Sequence, residues 1–213
     1  MITLVGSVFS TTPVKASGPF FCALTVLQLA VGQNDAALFR GRCGDVGVID
    51  VGQGGAYYAS GTAYADALAG GAAAAYRHWP LLLTAPDSAP DSTVAVGADR
   101  IALGGPAAIS DTVVAQLQAR RVAGSDRFAT AAAVALDAFP NREIVYLATG
   151  LDFPDALAGT AAAARDAAPL LLTRSDCVTA PVRAAVENLG ATSRVVLGGT
   201  AAVSARAADL AVC

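Results

Sequence analysis

The chain has 213 residues, 54% of them apolar and 15% charged, with a net charge of −3 at pH 7. That length builds one large domain or two small ones around a proper core. Acidic and basic residues are mixed, leaving no basic stripe to follow a phosphate backbone, so nucleic acid is not an expected partner. The apolar stretch from Phe20 to Gly32 is interrupted by Gln28 and falls short of the ~18 residues a membrane helix needs, so no membrane partner is expected.

The apolar excess is alanine, 50 of 213 residues, and only 5 of these fall in the first fifty positions. This shift sets a composition boundary near residues 45–55. Before it lie two β-like stretches, Ile2 to Ser10 and Val46 to Val51, so residues 1–50 read as a β-rich attachment segment or as the decayed start of a module. The first residues have no basic n-region and no small-residue cleavage site, so no secretory signal peptide is expected. Cys22, Cys43, Cys177 and Cys213 lie too far apart for a CxxC metal or redox site. Cys177 follows a strand and Cys213 ends the last helix of the same unit, which makes them one candidate disulfide pair. Cys22 and Cys43 are the other.

Beyond the boundary the chain repeats itself. Tyr57 to Thr84 (YYASGTAYADALAGGAAAAYRHWPLLLT) and Tyr146 to Thr173 (YLATGLDFPDALAGTAAAARDAAPLLLT) match at 17 of 28 positions without gaps. After a five-residue insertion, RIALGGPAAIS at Arg100 to Ser110 pairs with RVVLGGTAAVS at Arg194 to Ser204. In the second copy, Ile144 to Ala148, Leu170 to Thr173 and Val195 to Leu197 have the continuous hydrophobicity of strands buried on both faces. Helices are expected between them: Arg127 to Phe139 capped by Ser125 or Asp126, one opened by Asp152, Pro154 and Asp155 and running through Arg165, and one opened by Thr179 and Pro181 and ending at Gly190. Ser204 caps the last. The pattern is an α/β fold of βαβ units with parallel sheets. The expected modules are residues 51–119 and 120–213, following the segment 1–50.

Few of the residues suit catalysis. The nearest match to a dinucleotide loop, Val51 to Ala56 (VGQGGA), lacks the third glycine and precedes a strand, and no phosphate-binding P-loop exists. His78 is the only histidine, and its counterpart in the second copy is Ala167, so a packed or solvated histidine is expected rather than a catalytic one. Asp152 and Asp155 flank Pro154 after a strand and could work as an acid–base pair. Only Asp66 and Asp155 are common to both copies, however, and a carboxylate in a first helical turn suits capping. No metal and no cofactor is expected, and the chain reads as a binding module rather than an enzyme.

If the sheets are parallel, ligands belong at the carboxyl ends of the strands. The candidate ligand-binding residues there are Thr149, Gly150, Asp152, Asp155, Gly198 and Gly199, with Ser60, Gly61, Asp66, Gly104 and Gly105 as first-module counterparts. Arg121, Asp126 and Arg127 come from the stretch RVAGSDRFATA. An arginine beside helix N-termini suits an anionic sugar polymer, and the alternative for Arg127 is a structural salt bridge.

Taken in order, RVAGSDRFATA, YLATGLDFPDALAG, APLLLT and VVLGGTAAVS closely resemble the cell wall binding repeat type 2 family of Gram-positive surface proteins. The resemblance covers Arg120 to Cys213 fully and Tyr57 to Leu117 well. It implies Rossmann-like modules, usually three together, that hold proteins non-covalently to anionic wall polysaccharide or a teichoic-acid-like polymer. Two departures are visible: GQNDAALFRGR at Gly32 to Arg42 does not match the opening motif, and only two repeats are present. Two repeats in place of three imply a homo-oligomer or a different mode of binding. The unmatched start and the missing export signal lead to the expectation of a phage virion component, a capsid decoration or tail protein facing the host wall. A domain of a bacterial surface-layer or wall-anchored protein is the alternative, and a glycoside hydrolase using Asp152 and Asp155 is the second.

Overall fold

The computed structural model describes residues 25–29, 36–40, 46–48, 54–89 and 97–213. Strands β1 (Thr25–Leu29), β2 (Ala36–Arg40) and β3 (Val46–Val48) form an antiparallel sheet in that order. Of the two expected β-like stretches, Val46 to Val51 supplies β3, while Ile2 to Ser10, Cys22 and Cys43 lie outside the described residues. The sequence reading missed β1 and β2. Short apolar runs have no periodicity that separates strand from helix.

From Gly55 onward every strand pairing among the described residues is parallel. The first sheet, in the order β5-β4-β6-β7, contains β4 (Gly55–Ser60), β5 (Leu81–Thr84), β6 (Asp99–Leu103) and β7 (Arg120–Val122). The second, in the order β10-β8-β9, contains β8 (Ile144–Thr149), β9 (Leu170–Thr173) and β10 (Ser193–Val196). The helices are α1 (Tyr64–Arg77), α2 (Asp111–Leu117), α3 (Arg127–Ala138), α4 (Pro154–Arg165), α5 (Ala180–Leu189) and α6 (Ala205–Ala208).

The two copies of the repeat fold alike. Tyr57 pairs with Leu81 and Ile101 in the first sheet, and Tyr146 pairs with Leu170 and Val195 in the second. Each central strand ends in the same bond, Gly61 N–H to Thr84 O and Gly150 N–H to Thr173 O, both at 2.8 Å.

Of the four helix starts expected in the second repeat, two follow their capping residues and two do not. Asp126 accepts from Ala129 N–H at 2.8 Å, and Ser204 accepts from Ala207 N–H at 3.3 Å, satisfying donors that a first helical turn leaves without partners. Thr179 stands at the cap position of α5 without making the bond, its hydroxyl buried and unpartnered. In α4 the cap position falls to Phe153, whose N–H donates to the Asp152 carboxylate at 2.8 Å.

The opening of the stretch RVAGSDRFATA forms strand β7, but in the sheet of the first repeat. It lies beside β6 in the register Ile101 with Arg120 and Leu103 with Val122, so the opening of the second repeat completes the sheet of the first. From there α3 runs back against α1 and α5. One core therefore spans both repeats, with Ala72, Ala73 and Ala74 of α1 fully buried against Ala131, Ala132 and Ala135 of α3 and the strands beneath. Alanine suits this position because α1 also packs on α4, and a helix enclosed by two others has little room for side chains. Glycine brings helix and sheet closer still: a β-carbon on Gly70 would strike Leu103, and one on Gly159 would strike Leu197.

The far end of the α1–α3 pair is pinned by charge and rings. Arg120 grips Asp137 with two bonds, at 2.7 and 2.9 Å, and Arg77 donates to the Asp137 carbonyl at 2.6 Å. Tyr76 stacks on Phe139 at 4.7 Å, and the Arg142 guanidinium lies 4.4 Å from the centre of the Tyr76 ring.

Cys177 and Cys213 form a disulfide across 36 residues of chain. We expect C177A/C213A to lose about 2–4 kcal/mol of unfolding free energy in denaturant titration, the amount typical of such a loop. Equal stability of variant and parent under oxidising conditions would show that the bridge contributes nothing.

Candidate functional site

The repeated motifs turn at the carboxyl ends of the parallel strands, the edge where α/β sheets receive ligands. Small hydroxyls fold these turns back on themselves: the Ser60 and Thr62 hydroxyls lie 2.9 Å apart, and Thr149 Oγ1 accepts from Leu151 N–H at 3.2 Å. Beside them, β6 runs into Gly104–Gly105. Past β10 the chain reaches Gly198–Gly199, where the carbonyl of Gly199 accepts from Ala202 and Val203 just as that of Gly105 accepts from Ala108 and Ile109.

Asp66 and Asp155 sit in the first turns of α1 and α4, yet neither accepts a hydrogen bond from that turn as capping would require. Each carboxylate leans instead on the glycine turn of its own repeat. Gly104 has φ +98° and Gly198 φ +90°, and a β-carbon on either would run into the Asp66 or Asp155 carboxylate. Only glycine combines that backbone with so close a neighbour, which explains why the LGG motif recurs with the aspartate.

Burial pushes the Asp66 carboxyl above its ordinary range, and the nearby Arg127 guanidinium partly offsets this. Arg127 belongs to the second repeat and Asp66 to the first. Its guanidinium donates to Gly150 O at 2.7 Å and to the Tyr64 hydroxyl at 3.4 Å, and lies 5.8 Å from the centre of the Tyr64 ring. Tyr64 donates onward to Leu151 O at 3.2 Å, and its ring meets that of Phe153 at 5.7 Å. Arg127, Tyr64, Leu151 and Phe153 are all exposed. The starts of α1, α3 and α4 thus converge on a corner bearing one cation, two aromatic rings and a buried carboxylate.

The other candidates are engaged elsewhere. Arg121 is committed to structure, donating to Gly104 O at 2.6 Å, Ile109 O at 2.8 Å and the Asp111 carboxylate at 2.8 Å. Asp126 caps α3, and Asp152 holds the entry to α4. Asp155, Gly198 and Gly199 form the equivalent corner one repeat later, where among the described residues no ion pair reaches Asp155. Sequence reasoning missed Tyr64, Leu151 and Phe153, although a large apolar residue in a strand-to-helix turn is a signal in itself. His78 is exposed just past α1 at φ 56°, and Ala167 takes the same left-handed turn at φ 49° in the second repeat. Among the described residues no three potential ligands cluster for a metal, and no helix is long and apolar enough to cross a membrane.

Guanidinium and ring faces together suit sugars bearing negative charge, since rings stack on aromatic side chains while the cation meets the anionic group. Residues 16–114 and 121–208 both match cell wall binding domain 2, CWB2. The chain belongs to this family. Its two CWB2 repeats share 30% identity over 156 residues with the N-acetylmuramoyl-L-alanine amidase LytC of Bacillus subtilis (strain 168), covering 70% of this chain and 32% of LytC. Among solved structures, Cwp6 from Clostridium difficile superposes with a TM-score of 0.66 at 25% identity, over 74% of this chain and 27% of that one. Cwp8 from the same organism gives 0.62 at 24% identity, over 70% and 27%, and supports the fold. The chain therefore spans about a third of LytC and about a quarter of each solved structure.

The raised Asp66 carboxyl fixes the sign of a pH dependence. Its ionised form is penalised in the folded state, so its contribution to stability is most favourable below the ordinary value of 3.8 and is lost as pH rises through the elevated folded value. Denaturation profiles across that range should be flatter for Asp66→Asn than for the parent, and superimposable profiles would show that Asp66 does not report burial. Gly198→Ala should cost about 1–3 kcal/mol by forcing a β-carbon into a left-handed turn; an unchanged melting temperature would refute the tight turn.

Proposed function

We propose that the two CWB2 repeats bind an anionic cell-wall polymer, polysaccharide or teichoic-acid-like, at the corner made by Arg127, Tyr64, Leu151 and Phe153. In this reading the chain is a wall-binding domain of a bacterial surface-layer or wall-anchored protein and works outside the cell. Family membership supports wall binding, and the exposed Arg127 beside the Tyr64 ring, which itself meets Phe153, supports the placement. The resemblance to LytC, confined to about a third of that protein, favours a domain within a bacterial protein over the virion component first expected.

A binding role agrees with the carboxylates. Asp152 is occupied by the Phe153 N–H and Asp155 is held against Gly198, which leaves neither poised as a glycosidase acid. Residues 51–119 and 120–213 act as the two binding modules, with β7 of the second lent to the first sheet, and because the family match of the first repeat begins at residue 16, residues 1–50 are better taken as the decayed start of that module than as a separate attachment segment.

Co-sedimentation with purified Gram-positive cell walls tests this proposal. We expect saturable binding that is lost when hydrofluoric acid strips phosphodiester-linked polymers from the walls. Arg127→Ala should weaken binding by about tenfold or more while Arg206→Ala leaves it intact. Equal binding by Arg127→Ala would move the site elsewhere. Release of soluble sugar by the parent chain, abolished by Asp155→Asn in a folded variant, would favour the glycosidase.

A further inference from the structure

Asp66 is a buried carboxylate without a donor. The residue is 8% exposed, and among the described residues no hydrogen bond or ion pair reaches its carboxylate. Its oxygens are nevertheless not sealed. The buried side-chain atoms that lack both solvent and partner are the hydroxyls of Tyr57, Thr84 and Thr179 and Nε of Arg142, with no oxygen of Asp66 among them. Buried polar groups ordinarily find a partner, and a carboxylate held without one is penalised. The nearest remedy would be an ion pair with Arg127, which is close enough to act on the Asp66 carboxyl. The Arg127 guanidinium is instead held by Gly150 O and the Tyr64 hydroxyl, which keeps the two charges apart.

The glycine turn against which Asp66 leans offers a second observation. Gly104 is required by its φ of +98° and by the carboxylate beside it. Gly105 is not: its φ is not left-handed, and a β-carbon there would meet nothing within 4 Å. Gly199, its counterpart in the other repeat, is equally free of such a requirement. The fold thus explains the first glycine of each pair and leaves the second to another cause, for which close approach of a ligand to the backbone is the physical reason available. The Gly105 N–H has no acceptor among the described residues.

We infer that Asp66 and Gly105 read a hydroxyl group of the wall polymer while Arg127 holds a neighbouring anionic group, so that the corner selects a unit carrying both, a polyol phosphate or a uronate. The inference rests on the corner being the wall-binding site and adds what that site distinguishes. A hydroxyl both donates and accepts: its proton goes to the Asp66 carboxylate and its oxygen receives the Gly105 N–H. An anion that brings no donor is attracted by Arg127 and repelled by Asp66, and a bare cation meets the reverse. Such a site rejects analogues that lack the hydroxyl, because they leave its buried polar group unpaired.

Amide chemical-shift titrations of the full chain test this with two pairs of small anions: glycerol phosphate against propyl phosphate, and glucuronate against cyclohexanecarboxylate. The first member of each pair carries hydroxyls and the second does not. We expect glycerol phosphate or glucuronate to move the Gly105 resonance and to bind at least about tenfold more tightly than its hydroxyl-free analogue, and the one that does so identifies the source of the anion. Asp66→Ala should abolish that preference, leaving weak binding through Arg127. Gly105→Leu, whose side chain enters open space, should keep the parent's melting temperature and lose the preference too, which keeps the test decisive should Asp66→Ala misfold. Equal binding of both members of each pair by the parent, or a preference that survives either substitution in a folded variant, overturns the inference and spares the corner. Binding of none of the four at about 50 mM overturns both.

Discussion

Everything in this molecule depends on how closely three helices can approach one another. Helix α1 packs against its own sheet and against both α3 and α4 of the following repeat, and the side chains that allow this are methyl groups and hydrogens: Ala72 to Ala75, Gly70 and Gly71. Dispersion falls off so steeply with distance that a single added methylene at such a contact forces strain or separation. What looks like compositional bias is therefore the condition for fusing two small modules into one body. Neither module alone would bury this face, because the strand and helix that cover the first belong in sequence to the second.

Much of the fold was legible because the repeat supplied two readings of one pattern. Where both copies agreed, as at ALAG, LLLT and LGG, strand and helix followed with boundaries within a residue or two. Legibility failed where the determinant was not local. The lending of β7 to the first sheet leaves no trace in the spacing of RVAG, because strand pairing is decided by which edge is free and not by the strand itself. In Thr25–Leu29 the sequence offers apolar residues without a period, and the backbone of β1 is set by its partner β2.

The candidate site was half legible for a related reason. Glycine and aspartate stood out because both copies keep them, and the structure explains that persistence as steric: the carboxylate occupies the space a β-carbon would need. Arg121 and Arg127 look alike in sequence, yet one is consumed by two carbonyls and a carboxylate while the other is exposed beside the Tyr64 ring. No motif separates them, since the difference lies in which turn each meets. Tyr64, Leu151 and Phe153 escaped notice because none is an identity between the copies: Tyr64 stands opposite Phe153 and Leu151 opposite Thr62, although they form the exposed part of the corner.

The disulfide between Cys177 and Cys213 also bears on mechanics. Cys177 lies just past β9, and the adjoining Val178 exchanges backbone bonds with Ala211 and Cys213. A pull applied at Cys213 is therefore transferred through a covalent link to the segment that follows β9, a buried strand of the second sheet. The intervening residues, α5, β10 and α6 among them, form a closed loop outside the line of tension. For a domain that grips a wall while something else tugs on it, the anchored point is the sheet, and the last helix is spared from unravelling as the first element to yield.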